Sequence, residues 1–491
     1  MTNRVERIPR YNNIYTSNLN NKKFPVKTYG FAQKKIEVKK PSKNSYVEIK
    51  SYRQPNYPSS KNNLNLHNYN PVKDKKINNN INIKMEINIL KNNQPYCNIL
   101  KKDKTIFNKL GSVNPNINRN NNHLPLTKKK NKFIEGSIGL ANIGNTCYLN
   151  SALQNLKNVH TLTLYLLTNY ENYDRHGFTY KYCELIANLI NQDTCQFFEP
   201  KEFFNKLSEY APVFRFGQQN DSSICILYIL SFLEKETKKY TKQKILEDIK
   251  VSNLNSSEEK NKFKSFLNKI FERRNSCIID YFYGFQKDML ICQKCNYNIF
   301  NFQGISVLNL SIMSQNNKPI YTLNEAIEYY QKSQIHENES GFVCPNCKKY
   351  SILTQSLIIS YPKNLIINFK RIGEKDFYNH NVLIPGILEL LTGNYLYEYE
   401  LIGLIKHIGG AFSGHNIAIC KNFFDEKWYV YNDSRVIRVD NTSHVNKFHK
   451  NEKDSYVDTS NAFLFFYKKK DIKITKNDKD LIKQKSEELR K

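Results

Sequence analysis

The chain has 491 residues, 40% of them apolar, so it can bury a substantial core in two or three domains. A net charge of +29 suggests nucleic acid or an acidic surface, but residues 1–135 carry 28 Lys and Arg against 7 Asp and Glu, a net of +21. The remaining 356 residues carry 46 against 38, which is ordinary for a folded protein and excludes a basic surface as the defining feature of the whole chain.

Residues 1–134 are also compositionally biased, with 29 Asn, scattered Pro and no sustained helical or strand period. Such a segment buries too little apolar surface to offset chain ordering, so it reads as a mostly disordered basic extension. Its Lys cluster at 127–132 fits either a solvated charge run or a nuclear-import or nucleic-acid contact. It lacks the aromatic interleaving of a base-stacking platform, so nucleic acid is not an expected partner unless through this extension. No apolar stretch follows Met1, which argues against a signal peptide, and the longest nearly continuous apolar run, 224–233, is ten residues, too short to span a bilayer. Eleven cysteines, four of them in two C-x-x-C pairs, suit a reducing compartment, hence cytoplasm or nucleus and no membrane.

Ordered sequence is expected from about residue 134. Apolar residues at Leu149, Ala152, Leu153, Leu156, Val159 and Leu162 form one helical stripe over 147–168. Helices are predicted over 180–191, 200–210 and 221–238, and 241–274 reads as charged and helical or partly loose. After Ser276 the pattern turns to short β-branched and aromatic runs at 302–312, 354–362, 365–372, 399–408, 415–422, 427–439 and 462–469, which read as mainly antiparallel strands. Helices first and strands after imply an α+β fold. Residues 469–491 read as a charged C-terminal tail, loosely helical or frayed.

Three groups of residues carry chemistry. Cys147 ends a Gly-Asn-Thr loop and begins a helix, where a thiolate is stabilised and backbone N–H groups can face an oxyanion. Asn142 and Asn145 are candidate amide donors there. On spacing alone a buried core cysteine explains Cys147 as well as a nucleophile does. A base must come from elsewhere in the chain. His415, in a Gly-rich loop opening a strand, is a candidate, and a hairpin would return Asn432 and Asp433 beside it to orient the ring. Cys292 and Cys295 precede Cys344 and Cys347 by a 48-residue gap. Two such knuckles offer four thiolates for a structural Zn(II), and a closed four-thiolate site leaves no position for catalytic water.

The order cysteine, zinc knuckles, histidine, Asn-Asp resembles the ubiquitin-specific proteases, papain-like cysteine peptidases. The stretch GLANIGNTCYLNSALQNL is similar to that family's Cys box. YELIGLIKHIGGAFSGHNIAICKN followed by KWYVYNDSRV is similar to its His box, and AFLFFYKK to its closing strand. The resemblance covers about residues 134–468. It implies a thumb over about 147–275, zinc-bearing fingers over about 276–364 and a palm over about 365–468, together a catalytic domain of 135–468. It implies Cys147 as nucleophile, His415 as general base and then acid, Asn432 as the group orienting His415, Asp433 as its supporting neighbour and Asn142 at the oxyanion position. The implied reaction is hydrolysis of the bond after the C-terminal glycine of ubiquitin, through a thioester on Cys147.

The chain departs from the family pattern at the substrate-facing positions. Where the family has Gln-Gln-Asp followed two residues later by His and then Glu, this chain has "QQNDSS", so Asn220 replaces the Asp and Ser223 the Glu. Two charge-assisted contacts to the modifier's tail are thereby missing, each worth about 1.5–3 kcal/mol if desolvated. Asp221 would substitute only by a one-residue shift, about 100° around a helix. The residue after the histidine, usually aromatic, is Asn416, which on this pattern weakens one wall of the tail channel. Ubiquitin or ubiquitin-conjugated proteins are the expected partners. The alternatives are a protease for another ubiquitin-like modifier and a catalytically weak ubiquitin-binding scaffold.

Overall fold

A computed structural model describes residues 135–491 apart from 192–196, 239–253, 337–343, 350–351, 373–376, 411–412, 440–455 and 458–460. The expectation of a disordered extension at 1–134 falls outside the described residues.

The first half is helical. After the short strand β1 (Gly139–Leu140) come α1 (Cys147–Asn158), α2 (His160–Thr168) and α3 (Phe178–Ile190). Strand β2 (Phe197–Phe198) pairs in parallel with β1. Helices α4 (Lys201–Tyr210) and α5 (Ser222–Glu236) complete this half. Every residue of α1 is buried, so it is the central element on which the other layers pack. The single stripe predicted over 147–168 is two helices broken at Val159. The Thr163 hydroxyl donates to the Lys157 carbonyl at 2.7 Å and satisfies a group the break releases. The N-terminus of α3 follows Gly177, which has no side chain to cap it. Glu236 of α5 supplies the acceptors instead, taking the N–H groups of Phe178 (3.1 Å) and Thr179 (2.7 Å).

Helices α6 (Ser257–Arg274) and α7 (Cys277–Phe282) lead into the strands. The Ser256 side chain caps α6, so the ambiguous charged stretch is helical at least over 257–274. Strands β3 (Gly284–Cys292) and β4 (Asn298–Ile305) form a hairpin, and β5 (Val307–Ser311) follows. The run predicted as one strand over 302–312 therefore divides at Ser306, where the chain changes sheets. The ring of Tyr283 occupies the divide: a Cβ on Gly304 would lie 2.7 Å from it. Helix α8 (Leu323–Gln331), closed by a Thr322/Glu325 capping box, precedes β6 (Gln334–His336) and β7 (Ile352–Ser360).

The remaining strands are β8 (Asn364–Lys370), β9 (Ile384–Pro385), β10 (Ile387–Thr392), β11 (Tyr395–Gly409), β12 (Gly414–Lys421), β13 (Trp428–Asn432), β14 (Arg435–Arg438), β15 (Tyr456–Val457) and β16 (Ala462–Lys469). The larger sheet has the order β14-β13-β12-β11-β16-β8-β5 with β10 added to β11, and the smaller has the order β4-β3-β7-β6. Most pairs are antiparallel as expected, but β5 and β8 run parallel. The architecture is mixed α+β, with α1 packed against the larger sheet, the class expected from the sequence.

The C-terminal segment takes the helical alternative of its sequence reading, but it is not loose: it forms α9 (Lys476–Leu489), which packs on α2 and α3 and buries Ile482 and Ser486. Its charges are peripheral and two small contacts face inward, which a charge-dominated pattern hides.

Candidate active site and cysteine cluster

Cys147 is the first residue of α1, and its side chain is largely buried. The loop before it is braced from within. The Asn142 side-chain carbonyl accepts from the N–H groups of Gly144 (3.2 Å) and Thr146 (3.1 Å), while the Thr146 hydroxyl accepts from Ile143 N–H at 3.1 Å. It is also zipped to the loop before α5. The Asn145 amide donates to the Gly217 carbonyl at 2.8 Å, and Gly217 N–H donates to the Gly144 carbonyl at 3.2 Å. Asn145 therefore gives one of its two amide N–H groups to the loop.

Strand β12 delivers His415, and β13 ends at Asn432, whose side-chain oxygen lies 2.6 Å from His415 Nε2. Asp433 follows in the two-residue turn to β14 with φ of 49°, a left-handed conformation that Asp tolerates better than most residues. Its Oδ1 accepts from Asn150 Nδ2 (2.8 Å) and its Oδ2 from Asn142 Nδ2 (2.9 Å). Its main-chain carbonyl takes the N–H of Leu140 at 2.9 Å. Its Oδ2 stands 3.9 Å from His415 Nε2. Asp433 thus staples the β13–β14 turn to the cysteine loop as well as facing the histidine.

Burial pushes the Cys147 thiol above its ordinary range. The backbone N–H of Asn416 opposes this, the Asp433 carboxylate adds to it, and the N–H groups of Tyr148 and Cys147 pull the other way. The free thiol is thus the resting form, and a nearby proton acceptor is needed to make it nucleophilic.

Of the residues singled out from the sequence, His415, Asn432, Asp433 and Asn142 come together by direct contacts. Two positions near the departures take structural roles. As its place on the helix implies, Asp221 does not stand in for a substrate-facing carboxylate: it is the N-cap of α5, its Oδ1 accepting from the Ser223 N–H (2.6 Å) and hydroxyl (2.7 Å). Asn416 is no channel wall, because its side chain is buried and hydrogen-bonded. Asn150 was missed. Its place three positions after Cys147, on the same helix face, was the available signal, but it is one of several polar residues in α1 and nothing local sets it apart.

The four knuckle cysteines also converge. Their Sγ atoms all lie within 4.8 Å of one another, with Cys292–Cys347 at 3.5 Å and Cys295–Cys344 at 3.7 Å. The two knuckles share one backbone pattern. Asn296 N–H bonds the Cys292 carbonyl (2.8 Å) and Lys348 N–H the Cys344 carbonyl (2.9 Å), with positive φ at both Asn296 and Lys348. Cys292 N–H likewise bonds the Tyr297 carbonyl, and Cys344 N–H the Lys349 carbonyl. Thiolates on a 2.3 Å tetrahedral shell stand about 3.8 Å apart, so the cluster fits a four-coordinate structural metal. No helix among the described residues is long and apolar enough to cross a membrane.

Comparison with known proteins agrees with this geometry. Human ubiquitin carboxyl-terminal hydrolase 2 is 26% identical over 353 residues, spanning 68% of this chain and 56% of the relative. The chicken protein of the same name is 26% identical over 358 residues, spanning 70% of this chain and 96% of that one. This chain thus spans about half the length of the mammalian relatives it matches and nearly all of the chicken one. Among solved structures, a SAGA deubiquitinating module of Ubp8, Sgf11, Sus1 and Sgf73 bound to monoubiquitin matches with a TM-score of 0.51 at 18% identity, covering 69% of this chain and 70% of that one. The same module bound to ubiquitin aldehyde matches with a TM-score of 0.50 at 18% identity, over the same shares of each chain. The family model described as ubiquitin carboxyl-terminal hydrolase matches residues 138–467, and the chain belongs to that family of cysteine peptidases.

Proposed function

We propose that the protein is a thiol-dependent deubiquitinase that cleaves the isopeptide or peptide bond after the C-terminal glycine of ubiquitin. One observation carries the reading. A cysteine opens a buried helix, His415 is held by Asn432 at 2.6 Å, and Asp433 faces His415 at 3.9 Å while bonding Asn142 of the cysteine loop. His415 Nε2 is occupied by Asn432, which leaves Nδ1 as the nitrogen for proton exchange with Cys147. In the reaction His415 takes the thiol proton and the Cys147 thiolate attacks the glycine carbonyl. Asn142 keeps one amide N–H beyond its bond to Asp433, and that N–H together with backbone donors at the start of α1 serves the oxyanion. The amine leaves with the proton from His415. Water, deprotonated by His415, then hydrolyses the thioester and regenerates the thiol.

The cysteine cluster reads as a structural Zn(II) site held by Cys292, Cys295, Cys344 and Cys347. Bound there, the metal cross-links the two knuckles and takes no part in the reaction, since four thiolates fill its shell.

A second reading, a protease for another ubiquitin-like modifier, is favoured by Asn220 and Ser223 together with the use of Asp221 as a helix cap. The experiment is a panel of modifier probes carrying a C-terminal electrophile. Ubiquitin probe should label the protein, and Cys147→Ala should abolish labelling. Labelling by another modifier's probe alone would overturn the ubiquitin assignment, and no labelling of folded, zinc-loaded protein would leave a binding scaffold.

A further inference from the structure

We propose that Asn416, held between His407 and Ser222, is a positioning residue that fixes the register of Cys147 against His415 across the junction of helices and sheet. The inference rests on the proposed cysteine-peptidase reading.

Strands β11 and β12 pair His407 with Asn416 and Ile408 with His415. Directly opposed residues share a face, so His407 and Asn416 lie together on one face of the hairpin and His415 is presented on the other. The bonds of Asn416 follow in one direction. The Ser222 hydroxyl donates to the Tyr148 carbonyl at 3.0 Å, so it accepts from Asn416 Nδ2 at 3.1 Å. That orientation turns Asn416 Oδ1 to His407 Nδ1, 2.8 Å away. His407 Nε2 in turn lies 2.9 Å from the Gly410 carbonyl. A Cβ on Gly414 would lie 2.3 Å from His407 Nε2, so the ring can sit there only because position 414 is glycine.

The consequence is a tie across the junction. The Asn416 side chain reaches the Tyr148 carbonyl through Ser222. Asn416 follows His415 directly, and Tyr148 follows Cys147 directly. The nucleophile and its base therefore stand on two dipeptides joined through one hydroxyl, although they lie 268 positions apart. Ser222 is itself fixed, as the first residue of α5 beside the Asp221 cap. An aromatic side chain at 416 could make neither bond. The departure from the family pattern at 416 thus falls on a side chain that bonds Ser222, within the divergent QQNDSS stretch.

The test uses Ser222→Ala, which removes one hydroxyl, and Asn416→Leu, which keeps volume. Three quantities are read: steady-state cleavage of a fluorogenic ubiquitin substrate, the pH profile of Cys147 alkylation by iodoacetamide, and the melting temperature. Each single substitution should lower kcat about tenfold with KM within about twofold, as expected for lost alignment and not lost binding. Each should also move the alkylation profile to higher pH, and the double variant should be no worse than Asn416→Leu alone. Unchanged kcat and alkylation with a lowered melting temperature would overturn the proposal, as would multiplicative losses in the double variant. Alkylation is read without any modifier. A protein that cleaves no ubiquitin substrate yet shows the alkylation shift would retire the proposed substrate and keep the positioning role.

Discussion

Lys157 ends the central helix inside the core, where its ammonium meets dipoles and a ring. It donates to the Gly136 carbonyl, lies 3.5 Å from the Tyr431 hydroxyl and sits 4.7 Å from the centre of the Tyr431 ring. Burial drives its pKa down to about 7 from the usual lysine range, with the Cys420 thiol opposing weakly. The unfolded chain binds a proton that the folded chain releases between about pH 7 and the ordinary lysine value, so this group makes stability rise with pH across that window. Below pH 7 the full penalty applies, at about 1.4 kcal/mol per unit of displacement. Lys157→Met should therefore be more stable than the parent at pH 6, with the gap shrinking towards pH 10. Urea midpoints at the two pH values check this, and equal gaps would refute it. The sequence placed Lys157 beside an apolar stripe without hint of burial, because the stripe shows one face of α1 and only packing shows that every face is covered.

Among the elements, the finger hairpins show local sequence at its most decisive. A C-x-x-C spacing fixes which residues turn back, and the positive φ at Asn296 and Lys348 completes the same knuckle twice. What spacing could not give is which strands carry the knuckles together. That comes from β3 pairing with β7 in the smaller sheet, which brings Cys292 opposite Ile352. Metal bound at four thiolates is coupled to the folding of both hairpins. Cys344→Ser should thus drop zinc content well below one per chain and lower the melting temperature, measured by metal analysis and calorimetry. A full zinc complement with unchanged melting would exclude the structural site. Elsewhere local signals misled for identifiable reasons. Val159 gives no break signal of the Gly or Pro kind, and the 302–312 run looks continuous because both of its sheets demand the same β-branched residues.

For the molecule as a whole, the last helix closes the fold. α9 begins with a Thr475/Asp478 capping box and seats Ile482 fully buried against the helical half. Lys483 pairs with Glu135 and offers its carbonyl to the Asn191 side chain at 2.9 Å, while Lys479 reaches the Phe424 carbonyl at 3.2 Å. These contacts join the start of the described chain, α3, and the loop between β12 and β13. Ile482→Ala should cost about 2–5 kcal/mol, the usual range for emptying a buried aliphatic site. Denaturant unfolding measures it, and a loss within error would mean the helix is ornamental. By itself the sequence singled out the candidate set of chemistry-bearing residues and determined the α+β class. A helix-opening cysteine, a histidine in a glycine-rich hairpin, an Asn-Asp turn and two thiol knuckles are local patterns, each written in a few consecutive residues. Only the tertiary structure decided what the neighbouring polar residues do. Asp221 became a cap, Asp433 a staple, Asn150 its donor and Asn416 a buried tie, because those roles depend on partners tens to hundreds of residues away. Hydrogen-bond partners of buried groups are chosen by packing, and packing is not periodic in sequence.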